Sequence, residues 1–166
     1  MVIVDHQIRQ LCRDMGLVEP FDPDMINPAT IDVTLGDTIE VEVESGGVAA
    51  FVDISAEPFF MPPGAFVLAH TREYVRVPNN LDCEFRLKSS RAREGYQHGM
   101  AVYIDPGFHG QIVLELSNSL RFNELALKAG MRIGQLRFCK LGDIPMRGYA
   151  VTGRYHGQTG VQRSKG

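Results

Sequence analysis

The sequence predicts an all-β chain, an antiparallel barrel or jelly roll preceded by one short helix. Three observations carry this. From residue 31 onward, apolar and polar residues alternate in short runs, the period of a half-buried strand. Turn signals separate those runs at Gly46-Gly47, Pro62-Pro63-Gly64, Pro78-Asn79-Asn80 and Ala129-Gly130. Helical periodicity is confined to the N-terminus, so nothing in the pattern suggests a layer of helices.

Residues 5–15 form the predicted helix: Asp5 is placed to cap it, Ile8, Leu11, Cys12 and Met15 share one face, and Gly16 ends it. Strands are expected over 31–35 and 39–44, the second with Glu40, Glu42 and Glu44 facing outward. Further strands are expected over 65–70, 74–77, 84–87, 101–104, 125–127 and 132–138. The clearest follows the turn Asp105-Pro106-Gly107. Ile112, Leu114 and Leu116 alternate there with Gln111, Val113, Glu115 and Ser117, so Glu115 projects from the polar face beside Val113.

At 166 residues the chain fits one domain, residues 1–166, and an apolar content of 44% is enough for a real core. A net charge of −3 argues against coating a nucleic acid but leaves room for binding one nucleotide, where a few local cations suffice. No apolar run is long enough to span a bilayer, and the N-terminus lacks the pattern of a signal peptide, so a cytosolic protein is expected, in the host cytosol if the source is a virus. Cys12, Cys83 and Cys139 are odd in number and widely spaced, which reads as three buried or semi-buried thiols rather than a disulfide framework. The zinc deaminase signature, H-x-E with P-C-x-x-C, does not occur.

Two groups carry candidate chemistry. Glu115 could serve as an acid/base group, or simply be a solvated carboxylate on a strand. Lys88-Ser89-Ser90-Arg91-Ala92-Arg93 offers two hydroxyls and three cations, the donors a polyphosphate needs, although a solvated basic turn has the same composition. Asp105 before Pro-Gly is a turn former or a ligand contact. Residues 149–166 are rich in Gly, Gln, Arg, Ser and Lys and read as a frayed end or a flexible lid. Tyr149, Arg154, Tyr155 and Gln158 are its candidate closing groups.

Six segments, in order and across nearly the whole chain, resemble the dCTP deaminase and dUTPase superfamily. They are Asn27–Gly36 (NPATIDVTLG), Pro63–Glu73 (PGAFVLAHTRE), Lys88–Arg93 (KSSRAR, against the family's RSSLAR), Tyr103–Asn118 (YIDPGFHGQIVLELSN), Ala129–Leu136 (AGMRIGQL) and the tail from Tyr149 to Ser164 with Arg154-Tyr-His-Gly-Gln-Thr-Gly160. The resemblance implies a distorted jelly roll of the dUTPase-like type, forming a homotrimer with active sites between subunits. It implies zinc-independent deamination of dCTP to dUTP, with Mg2+ carried on the triphosphate and dTTP as a candidate inhibitor. It places Glu115 on the general base, Ser89, Ser90 and Arg93 on the cradle, and Asp105 on the sugar and base contact. Tyr149, Arg154 and Gln158 fall on phosphate-facing tail positions. Lys88, Ala101 and Val113 complete the expected substrate-binding set.

There are departures. Lys88 stands for an arginine, which is not conservative at a bidentate site. Arg91 stands for a leucine and Arg154 for a lysine. Met100 stands where the family has threonine, suggesting a more apolar wall near C5 of the base. A divergent member, such as a viral one, would look like this. Pro106-Gly107 after Asp105, and a tail without the dUTPase phenylalanine, favour the deaminase over a dUTPase. A bifunctional enzyme releasing dUMP and pyrophosphate stays open. A non-catalytic nucleotide-binding module is disfavoured, because Glu115, Ser89 and Arg93 are all retained.

Overall fold

The structure is a computed structural model that describes residues 1–44, 46–99 and 101–166. The elements run α1 (Asp5–Met15), β1 (Val18–Glu19), a 3-10 turn (Pro23–Met25), β2 (Ile26–Asn27), β3 (Thr30–Thr34), β4 (Thr38–Glu42), β5 (Val48–Asp53), β6 (Phe59–Met61), β7 (Phe66–Arg76), β8 (Leu81–Leu87), α2 (Ser89–Glu94), β9 (Tyr96–His98), β10 (Tyr103–Ile104), β11 (His109–Asn118), β12 (Leu125–Leu127), β13 (Arg132–Lys140) and α3 (Tyr149–Thr152). One sheet is ordered β5-β4-β7-β11-β9, with β1 also on β7; a second is ordered β10-β8-β13-β3-β2; β12 and β6 form a small pair. The described pairs are antiparallel.

Both larger sheets feed one buried cluster. Leu114 and Leu116 of β11 and Val67 of β7 come from the first; Val33, Phe85, Leu136 and Phe138 come from the second. Helix α1 closes one end with Ile8 and Cys12 buried, and Gly16 ends it in the left-handed region at φ 67°. Its start differs from expectation. Asp5 is the first helical residue and its carboxylate accepts from the His6 amide at 2.7 Å, while the Gln7 side chain takes the Val4 amide. Cys12 and Cys83 are buried and Cys139 is half-buried, all as thiols.

Three other expectations are corrected. Residues 65–70 and 74–77 belong to one long strand, β7, whose ladder with β11 shifts register between Gln111 and Val113. The Ile112 amide, displaced there, is satisfied by the Thr71 hydroxyl at 3.0 Å, so the bulge leaves no buried donor unpaired. The segment after Lys88 is a helix, α2, rather than a turn. Glu40 is not outward: it is 2% exposed, whereas Glu42 does face solvent. Met100, the expected wall against C5, lies outside the described residues.

Candidate active site

Strand β11 has partners on both sides, β7 and β9, which makes it a stiff place to mount a reactive group. Its burial follows the alternation: Ile112, Leu114 and Leu116 go into the core while Val113 and Glu115 remain half-exposed. Those two open onto a cavity of about 510 Å³. Its floor is β7 and β11, through Leu68, Ile112, Val113 and Glu115. One wall is Ala101, Tyr103, Ile104 and Asp105. The C-terminal tail closes it with Tyr149, Tyr155, Gln158, Gln162 and Ser164.

Glu115 lies opposite Leu68 on β7, and its carbonyl accepts from the Gly99 amide at 2.8 Å. Burial raises its carboxyl above the ordinary glutamate range, and a backbone hydrogen bond opposes this only in part. His98 Nε2 stands 3.4 Å from Glu115 Oε2, a distance at which an ion pair could form. Burial, however, pulls the imidazole down to about 4, so it is neutral at physiological pH and the contact is not an ion pair. Both facing atoms are buried without a hydrogen-bond partner. Oε2 is thus shielded against His98, while the side chain as a whole stays 31% exposed where it lines the cavity, so that the carboxylate can accept a proton from a water placed there.

The Asp105-Pro-Gly turn brings a second carboxylate to the rim and holds the start of the tail. The Tyr149 amide donates to the Pro106 carbonyl at 2.8 Å, and the Tyr149 ring packs at 5.7 Å on Phe108. Gln158 is buried, its amide nitrogen donating to the Gln111 carbonyl at 2.7 Å. It crosses β11 at Gly110, where φ is +151° and a Cβ would come within 2.7 Å of the Gln158 carbonyl oxygen.

Seven residues singled out from the sequence thus meet at one cavity: Ala101, Asp105, Val113, Glu115, Tyr149, Tyr155 and Gln158. Five others do not reach it within the chain. Ser89, Ser90 and Arg93 are exposed along α2. Lys88 Nζ donates to Asp32 Oδ2 at 2.5 Å, on a carboxylate that also holds Asn27 and Arg132. Arg154 is exposed, its carbonyl accepting from Lys165 Nζ at 2.7 Å. The charged residues that line the cavity, among those described, are Asp105 and Glu115, both acids. Sequence reasoning missed His98, Tyr103, Gln162 and Ser164.

The family profile described as dCTP deaminase-like matches residues 2–141. The protein "dCTP deaminase, dUMP-forming" of Thermobifida fusca is 37% identical over 99% of the chain and 92% of the relative. The protein of the same description from Acidothermus cellulolyticus is 36% identical over 99% of the chain and 95% of the relative. Among solved structures, the 2'-deoxycytidine 5'-triphosphate deaminase of Agrobacterium tumefaciens superposes with a TM-score of 0.70 at 21% identity, over 82% of the chain, a likeness of fold. The chain spans about half of that protein, 47% of its length.

Proposed function

The chain belongs to the dCTP deaminase-like family, and on that premise we propose that it hydrolyses dCTP at C4 and releases dUMP, pyrophosphate and ammonia. Of the two outcomes open in the sequence, dUTP or dUMP, the second is favoured by relatives that match end to end and are described as dUMP-forming. The observation that carries deamination is Glu115 itself, a carboxylate whose proton affinity is raised by burial and which lines the floor of a cavity of about 510 Å³.

The steps follow from those groups. Glu115 takes a proton from a water, which adds to C4 of the cytosine ring. The carboxyl passes that proton to N3, then takes the proton of the new C4 hydroxyl and passes it to the departing amino group, which leaves as ammonia as the C4 carbonyl forms. A group with raised proton affinity suits both directions of transfer. A second water then cleaves the α–β phosphoanhydride, so that dCTP and two waters give dUMP, pyrophosphate and ammonia.

The triphosphate needs cations that the cavity does not supply from its own chain. Ser89, Ser90 and Arg93, exposed on α2, suit that role as contributions from a neighbouring copy in a homotrimer, with sites between subunits. Lys88, held by Asp32, would support α2 rather than touch substrate. The described residues group no three His, Cys, Asp or Glu side chains as metal ligands, so a magnesium ion would arrive on the triphosphate and offset its charge. Residues 149–166 would act as the lid, with Tyr149 and Gln158 already at the cavity.

The experiment is to incubate the protein with dCTP and magnesium and to resolve nucleotides and ammonia over time. Equal amounts of dUMP and ammonia are expected. Ammonia with accumulating dUTP would remove the second step, and no ammonia would remove the reading.

A further inference from the structure

Glu40 departs from the outward pattern of its strand. It pairs with Phe51 on β5 and with Leu68 on β7, and Leu68 pairs in turn with Glu115 on β11. Directly paired residues in an antiparallel ladder present their side chains on one face. Glu40 therefore stands on the same face as Glu115, two strand spacings or roughly 10 Å away. A carboxylate that is 2% exposed must be paired to be tolerated there. The cation is Arg163, from the far end of the chain, whose Nε donates to Glu40 Oε2 and whose guanidinium lies 5.9 Å over the Phe51 ring.

The residues on either side of Arg163, Gln162 and Ser164, line the cavity. Upstream, the tail is fastened to β11: the Gln158 carbonyl accepts from the Gln111 amide at 3.0 Å, and the Gly160 amide donates to Gln111 Oε1 at 2.6 Å. The tail is thus held on β11 at one point and on β4 at another, with pocket-lining residues around the second.

We infer that the Glu40–Arg163 ion pair is a latch that positions the C-terminal tail over the cavity, Arg163 acting as a positioning residue for substrate binding. This rests on the nucleotide reading above. The latch sets how often the tail is open, so it bears on KM more than on kcat.

The test is a set of Arg163→Gln, Arg163→Lys, Glu40→Gln and the Glu40→Gln/Arg163→Gln double variant. Arg163→Gln should raise KM for dCTP about tenfold, the loss expected for a hydrogen bond to a buried charge, with a smaller change in kcat. Arg163→Lys, which keeps the charge, should recover most of it. Glu40→Gln should raise KM in the same direction, and the double variant should be no worse than Arg163→Gln alone, because both single variants break the same ion pair. A raised KM in Arg163→Gln with none in Glu40→Gln would make Arg163 a direct phosphate contact and overturn the latch. Hydrogen exchange of residues 158–165 without nucleotide is the second readout: faster exchange in Arg163→Gln supports the latch, and unchanged exchange overturns it. That measurement needs neither turnover nor a folded Glu40 variant. An unmodified protein that failed to deaminate dCTP would therefore defeat the functional reading and leave the latch to be decided by exchange.

Discussion

Strand β11 and helix α2 carry the two sets of polar residues that the sequence made conspicuous, and they are built in opposite ways. β11 is paired on both edges, its apolar face is in the core, and Glu115 is half-buried where the strand lines a cavity. α2 is a six-residue helix that buries none of its residues and shows Ser89, Ser90 and Arg93 to the outside. A reactive carboxylate needs a stiff mount and partial desolvation, and β11 provides both. A phosphate cradle needs accessible donors, and α2 shows its donors to solvent, away from the cavity of its own chain. Within one chain these two sets of residues do not meet.

The largest effect expected from this contrast is at Glu115. Glu115→Gln keeps the shape of the side chain and removes its basicity, so deamination should fall on the order of 10²–10⁴-fold while nucleotide binding is largely kept. Turnover within threefold of the unchanged protein would show that the base lies elsewhere.

A smaller effect concerns pH. Glu115 acts as a base only when ionised, and burial raises its pKa while neutral His98 offers no positive charge to lower it again. The acidic limb of kcat/KM should therefore lie above the ordinary glutamate range, and a limb at or below that range would contradict the burial argument. His98 acts on stability with the opposite sign. Its folded-state pKa of about 4 is below the ordinary 6.5, so the unfolded chain takes the proton first. That contribution is complete above about 6.5 and is lost as pH falls towards 4. The melting temperature should drop across that window, and His98→Gln should flatten that part of the drop.

Legibility in the sequence followed the same division. The alternation around Glu115 was plain because a strand with one buried face has a strict period of two, and the Asp105-Pro-Gly turn and the N-terminal helix were plain for equally local reasons. Glu40 was misplaced because period two says which residues share a face, not whether a distant segment will cover it; its cover, Arg163, lies 123 residues away. Strand β9 escaped because Tyr96–His98 is too short to show a period, and His98 went with it. The side chain of Lys88 was read as a substrate donor, but it is engaged by Asp32 from β3, a partner that no local pattern announces. The six ordered segments supplied what local patterns lacked, since the resemblance they carry is what implies one site for Ser89, Ser90, Arg93 and Glu115, whereas the single chain keeps α2 away from the cavity.

The claim that the two half-sites complete one another across subunits is tested most directly by mixing two disabled proteins. Glu115→Gln and Arg93→Ala are each expected to be nearly inactive alone. After unfolding and refolding together in equal amounts, with random assortment, about a quarter of the sites should pair an intact Glu115 with an intact Arg93 from another copy. Deamination of dCTP should reappear at about that fraction of the unmodified rate. If the mixture stays as inactive as its components while the subunits demonstrably exchange, both residues act within one chain and the account of two half-sites is contradicted.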